Sequence, residues 1–263
     1  MQIDHIPLLQ IQRELHDQPR DMARFRTYLR TIFGGEVSEE NDLPQLVPLI
    51  AMNPMGRAHV AERLEQLLAL DAEAIAAAAV AEAQARLAAQ IDTLPGYTGD
   101  YKHGLVIIDD LGGAWSNRFA VEVKRFAAVD LNKYRWFTTG FFVSDEPSVA
   151  AIRQGVLSSI YRTLYLERHG PPRTLREMLV QEGTAALFAE IPSPLAADDL
   201  AYSRAVLQPY LDSDHYPTCM AAIFGDEAAR TLGYPPLVLS AYAGIGVALA
   251  DFGEGGNMER RNE

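Results

Sequence analysis

The sequence predicts a helix-rich α+β fold: a helical N-terminal region packed on a small sheet that further helices cover. Three observations carry this. The first hundred residues repeat apolar positions at helical spacing and include an alanine-rich run. Two short segments, near 105–109 and 134–143, are dense in β-branched and aromatic residues. From Val149 onward the helical period returns, with Ile152, Val156, Ile160 and Leu164 on one stripe. The organisation expected is a helical region over 1–98, a mixed region over 99–252 and a flexible tail over 253–263.

A chain of 263 residues can bury a core without staples, and 48% hydrophobic with 22% charged residues argues against large-scale disorder. A net charge of -12 repels phosphate backbones and anionic lipid, so neither nucleic acid nor membrane is an expected partner. Cys219 stands alone, which precludes an intrachain disulfide and a cysteine-rich zinc site. The N-terminal segment MQIDHIPLLQIQRELHD lacks a basic stretch followed by an apolar one, and no uncharged run approaches the ~18 residues of a bilayer span. The expectation is a soluble, cytoplasmic protein.

In chain order, residues 6–16 read as a helix with Leu8, Leu9, Ile11 and Leu15 inward. Pro19 suits the first turn of the next helix, whose core face is Met22, Phe25, Leu29 and Phe33 and whose stop is Gly34-Gly35. On it Arg20, Arg24, Arg26 and Arg30 read as a solvated face. Prolines deny 36–56 a regular element, and Asn53-Pro54-Met55-Gly56 reads as a turn. From Arg57 to Gln90 the pattern is one long helix, or two if Asp71 caps a second. Its alanine face suits close packing within the chain or the pairing of two copies in a homodimer. Thr93 to His103 is a turn-rich linker before the strand Leu105 to Asp109. Asn117 to Ala128 is read as helix and Tyr134 to Val143 as an interior strand, apolar on both faces. Asp145-Glu146-Pro147 opens a long helix ended by Gly170, and Thr174 with Glu177 is a capping box for the next. Helical segments follow at 197–211 and 217–232, and 237–250 is an apolar closing segment.

The chemistry concentrates after the first strand. If the two strands run parallel, their carboxyl ends share the edge where open α/β sheets place ligands. Asp109 and Asp110 then lie near Ser144, Asp145 and Glu146. Carboxylates ~5 Å apart repel by roughly 3 kcal/mol at an effective dielectric of ~20, so a proton, an arginine or a divalent cation must offset them. The reading that follows is an enzyme acting on a small anionic molecule. In it Asp109 or Asp110 is a general base or metal ligand, Asp145 a further ligand, and Mg²⁺ the cation. Trp115, Asn117, Arg118 and Ser144 are the candidates for holding substrate, and Gly112-Gly113 for cradling an anion. The competing reading is a noncatalytic helical interaction or scaffold protein in which Arg118 merely ties the aspartates down.

No nucleotide-binding glycine motif, HExxH or GxSxG sequence is present. His59 and Glu62 share a helix face at a spacing used in carboxylate-bridged metal bundles, but no second pair exists, so His59 reads as a surface histidine. The apolar surroundings of Cys219 favour a buried thiol over a nucleophile paired with His215.

Overall fold

A computed structural model describes residues 1–35, 43–88, 99–111, 117–128 and 130–253. The fold is α+β and helix-rich as the sequence predicts, and both expected strands lie in one sheet. No helix is long and apolar enough to cross a membrane among the described residues. The contacts divide the described chain into two units. One comprises 1–118 with 130–160, the other 119–129 with 161–263.

The first unit is built on three parallel strands in the order β1-β2-β3: β1 Gln2–His5, β2 Asp100–Ile108 and β3 Trp136–Phe142. His5 pairs with His103, and Leu105 with Thr139. β1 was not anticipated. It is four residues long, too short for a periodic signal, and it is a strand because it pairs with β2. β2 outruns it, which would leave backbone groups beyond His103 without a strand on that side. Gln12, buried on α1 (Leu9–Asp17), supplies them: Nε2 donates to Leu105 O at 2.9 Å and Oε1 accepts from Ile107 N at 2.9 Å. Gln84 covers β1 in the same way, exchanging bonds with Ile3 N and O at 2.8 and 3.1 Å.

Helix α2 (Met22–Phe33) starts later than Pro19 suggested, because Asp21 caps it through Ala23 N and Arg24 N. Gly34 ends it at φ 75°, a left-handed position that costs glycine little. The alanine-rich segment is two helices, α3 (Ala58–Ala69) and α4 (Ala72–Ala88), broken where Asp71 takes φ 57°. α4 buries Ala72, Ala76, Ala79, Val80, Ala83 and Leu87, in part over β1. Two further corrections concern the strand edges, the first being that β2 begins at Asp100, inside the segment read as a linker. Tyr134 closes α6 (Leu131–Tyr134) rather than opening β3, and Arg135 sits left-handed between them, its guanidinium over the Tyr101 ring. Val149–His169, α7, is the longest helix described, and its first half belongs to this unit.

The second unit contains Phe119 to Phe126, as α5 (Arg118–Glu122, of which Arg118 belongs to the first unit) and a 3-10 turn. The rest is the end of α7, α8 (Leu175–Ala189), α9 (Ala197–Leu207), α10 (Tyr216–Phe224), α11 (Asp226–Leu232) and α12 (Ala243–Gly253). Phe119, Phe126, Leu179, Met220, Phe224 and Val247 are central to its core. The Thr174–Glu177 capping box is present. The segment read as one helix over 217–232 breaks at Gly225, where φ is 84° and a Cβ would stand 2.1 Å from Ser240 O. Of the tail read over 253–263, Gly253 ends α12 and 254–263 lie outside the described residues.

Candidate active site

The parallel pairing of β2 and β3 brings the carboxyl ends of both strands to one edge, as the site reading required. Beyond Ile108 the chain leaves the sheet with two aspartates, and they meet different partners.

Asp109 is buried, 3% exposed. Its Oδ2 accepts from Asn53 Nδ2 at 2.7 Å, and its Oδ1 lies 2.9 Å from His59 Nε2 and accepts from Leu111 N at 3.2 Å. Asn53 is fixed by the turn the sequence marked, its own Oδ1 taking Met55 N–H at 3.0 Å. His59 stands in the first turn of α3. These donors offset the cost of burying the charge. With Asp109 as a carboxylate and His59 neutral, the shared proton is on Nε2 and Nδ1 keeps its lone pair. The His59 side chain is 28% exposed, and among the described residues Nδ1 has no hydrogen-bond partner.

Close by, within electrostatic reach of Asp109 and His59, lies His16 on α1. Its Nδ1 contacts Arg24 Nη2. Burial, reinforced by the Arg24 charge, lowers the His16 pKa to about 4, so the ring is neutral, accepts at Nδ1 and carries its proton on Nε2. Among the described residues that Nε2–H has no acceptor, and neither has Arg24 Nε–H. Arg24 is 3% exposed, and no carboxylate of the described residues forms an ion pair with it. The solvated-face reading therefore fails for Arg24: it turns inward while Arg20 remains exposed.

Asp110 belongs to a separate network. Its Oδ1 accepts from Ser144 N at 3.0 Å and its Oδ2 from Ser144 Oγ at 2.5 Å, with Arg118 Nη1 3.6 Å away. Arg118 also donates to Ser144 Oγ at 2.8 Å, meets both oxygens of Asp145 at 2.7 and 3.4 Å, and lies over the Phe142 ring at 4.5 Å. Arginine is thus what offsets this pair of carboxylates. Glu146 turns instead to Arg63, at 3.1 and 3.2 Å.

The expected ligand set of Asp109, Asp110 and Asp145 is therefore divided: the first goes to His59, and the other two share Arg118. Among the described residues no group of three or more His, Cys, Asp or Glu side chains is placed to hold a metal ion. Asn117 is exposed just before α5. Trp115 and Gly112-Gly113 lie outside the described residues. A pocket of about 470 Å³ opens at the same edge, lined by Thr139, Phe141, Ser144, Asp145, Ile152 and neighbouring residues. In the second unit Cys219 is buried, its thiol raised by that burial, and His215 bonds Thr218.

Sequence reasoning missed His59, Asn53, His16 and Arg24 as partners of this edge. The one local signal was the Asn-Pro-Met-Gly turn. Gly56 closes it, and a Cβ there would come within 3.0 Å of the His16 ring. No family model, curated protein or solved structure matches the chain.

Proposed function

We propose that the protein is an enzyme that moves a proton on a small anionic molecule at the carboxyl edge of its sheet. The carrying observation is a buried carboxylate, Asp109, that fixes a partly exposed imidazole, His59, with its basic nitrogen free. Asp109 acts through His59 as a positioning residue, and Asn53 holds Asp109. The anionic class is supported by His16 Nε2–H and Arg24 Nε–H, two buried donors that have no acceptor among the described residues. A carboxylate or phosphate oxygen satisfies both and relieves the cost of an unpaired buried guanidinium.

Thermal unfolding against a panel of small phosphorylated and carboxylated compounds tests this. A compound that stabilises the wild type should fail to stabilise Arg24→Met. It should still bind His59→Gln, which should not turn it over. Equal stabilisation of wild type and Arg24→Met would contradict the assignment. The scaffold reading draws on the closed Asp110–Ser144–Arg118–Asp145 network, and it predicts that no compound binds at all.

A further inference from the structure

A second line of polar side chains crosses the first unit, away from His59. Glu73 on α4 takes Leu9 N–H on Oε1 at 2.6 Å, and its Oε2 lies 2.6 Å from His5 Nε2. His5 Nδ1 lies 2.9 Å from His103 Nδ1, and His103 Nε2 lies 2.9 Å from Thr139 Oγ1. Thr139 Oγ1 lies 2.5 Å from Ser159 Oγ on α7, whose one proton has a second acceptor in Val156 O at 3.0 Å. One member comes from each strand, and the line is walled by α4 and α7. His103 is fully buried and the His5 side chain is 6% exposed. Their neighbours on the strands, Ile3, Leu105, Phe137 and Phe141, are apolar.

With His5 neutral, the carboxylate at one end sets the direction of every bond. Glu73 accepts, so His5 carries its proton on Nε2 and accepts at Nδ1. His103 then carries its proton on Nδ1 and accepts at Nε2, and the proton it accepts is that of Thr139. Burial, with His5 alongside, lowers the His103 pKa to about 3, which keeps that ring neutral. The titratable groups against the two rings are Glu73 from α4 and each other. Thr139 and Ser159 supply only hydroxyls from β3 and α7. Arg153 and Glu82, further along α7 and α4, pair together at 2.5 and 2.8 Å.

Thr139 also lines the 470 Å³ pocket. With its own proton directed at His103, its oxygen faces its other neighbours as an acceptor. Leu105, Phe141 and Ile152 make apolar walls, and Gly140 and Gly155 complete the lining beside them. We propose that Glu73, His5, His103 and Thr139 form a proton relay through the sheet, and that the pocket takes a small hydroxyl-bearing ligand whose proton the relay accepts. The ligand O–H breaks as a Thr139 Oγ1–H forms. The former Thr139 proton moves to His103 Nε2, and the His103 Nδ1 proton moves to His5 Nδ1. The ligand is left as an alkoxide and His5 as an imidazolium against Glu73. The reverse sequence returns the proton. Thr139 touches the ligand, and the other three act through it.

The test is ¹⁵N-histidine NMR of the full chain. The wild type at neutral pH should show His5 protonated at Nε2 and His103 at Nδ1. Exchange of the His103 ring proton with water should become about tenfold slower in Thr139→Val and stay near the wild-type rate in Thr139→Ser. A packing defect would speed exchange, so the slowing reports the wire itself. Ethanol, as a small hydroxyl probe, should shift the His103 Nε2 resonance in wild type but not in Thr139→Val. Unchanged or faster exchange in Thr139→Val overturns the relay. So does a wild-type His103 protonated at Nε2, a result that stands even if the valine variant fails to fold. No ethanol response overturns the ligand class.

Discussion

Consecutive side chains of an extended chain leave on opposite sides, so Asp109 and Asp110 were bound to meet different neighbours. Asp109 reaches Asn53 and His59, and Asp110 reaches Ser144 with Arg118 behind it. The Asp110 side chain is 3% exposed, so its charge depends on those donors. Asp110→Asn should destabilise by about 1–3 kcal/mol in urea unfolding, because the amide cannot accept from both Ser144 groups and Arg118 loses a partner. Mg²⁺ should not change the midpoint of either protein. A cation-dependent midpoint that disappears in the variant would instead return Asp110 to the role of metal ligand. The pairing of Asp110 and Asp145 with Arg118 was legible, because all three lie within a few residues of the two strand ends. His59 was not. Its partner is fifty positions away, and a lone histidine in a helical stretch carries no mark of what it faces.

Elements were legible where their signal is internal. β2 and β3 read as strands from their β-branched and aromatic residues, but β3, read as interior because it is apolar on both faces, is an edge strand, and β2 is the central one. β1 did not read as a strand, since QIDH becomes one only through a partner 98 positions away. The break between α3 and α4 was legible only as one of two alternatives: propensity favours one continuous helix, and Asp71, the residue that marked a possible second helix, is where the chain turns left-handed. The sheet edges add a prediction at this scale. Gln12 serves two backbone groups of β2 that β1 is too short to reach. Gln12→Ala should therefore cost about 2–4 kcal/mol, two buried groups losing their partners. Gln12→Glu should be nearly as damaging, because it keeps the acceptor for Ile107 N but loses the donor for Leu105 O. A change below about 0.5 kcal/mol in urea unfolding, the range of ordinary surface substitutions, would show the edge to be satisfied in another way.

At the scale of the molecule, each unit carries buried groups that make it sensitive to acid. In the second unit Glu182 is 3% exposed. Burial alone raises a carboxyl pKa, but Arg162 and Arg125, at 2.8 and 2.9 Å, outweigh it and hold Glu182 at about 2. Its folded value lies below its unfolded one near 4.5, so it contributes stability above 4.5 that is lost as pH falls toward 2. His16 and His103, in the first unit, are held at about 4 and about 3. The unfolded chain takes those protons near 6.5, so stability also falls as pH drops below that value. Unfolding free energy should therefore decline from pH 6.5 downward. Glu182→Gln should remove the steeper part below 4.5, keep the histidine part, and cost about 3–5 kcal/mol at neutral pH by removing the buried carboxylate that Arg162 and Arg125 share. A pH profile in Glu182→Gln parallel to that of the wild type would refute this account of the acid response.

The central claim is that Arg24 and His16 hold an anion beside the His59–Asp109 pair. The direct measurement is ¹⁵N-histidine NMR of the wild type and Arg24→Met titrated with inorganic phosphate at constant ionic strength. Phosphate should move the His16 and His59 ring resonances of the wild type along saturable curves and leave those of Arg24→Met in place. Rings that stay unmoved in the wild type, or that move equally in Arg24→Met, would contradict it.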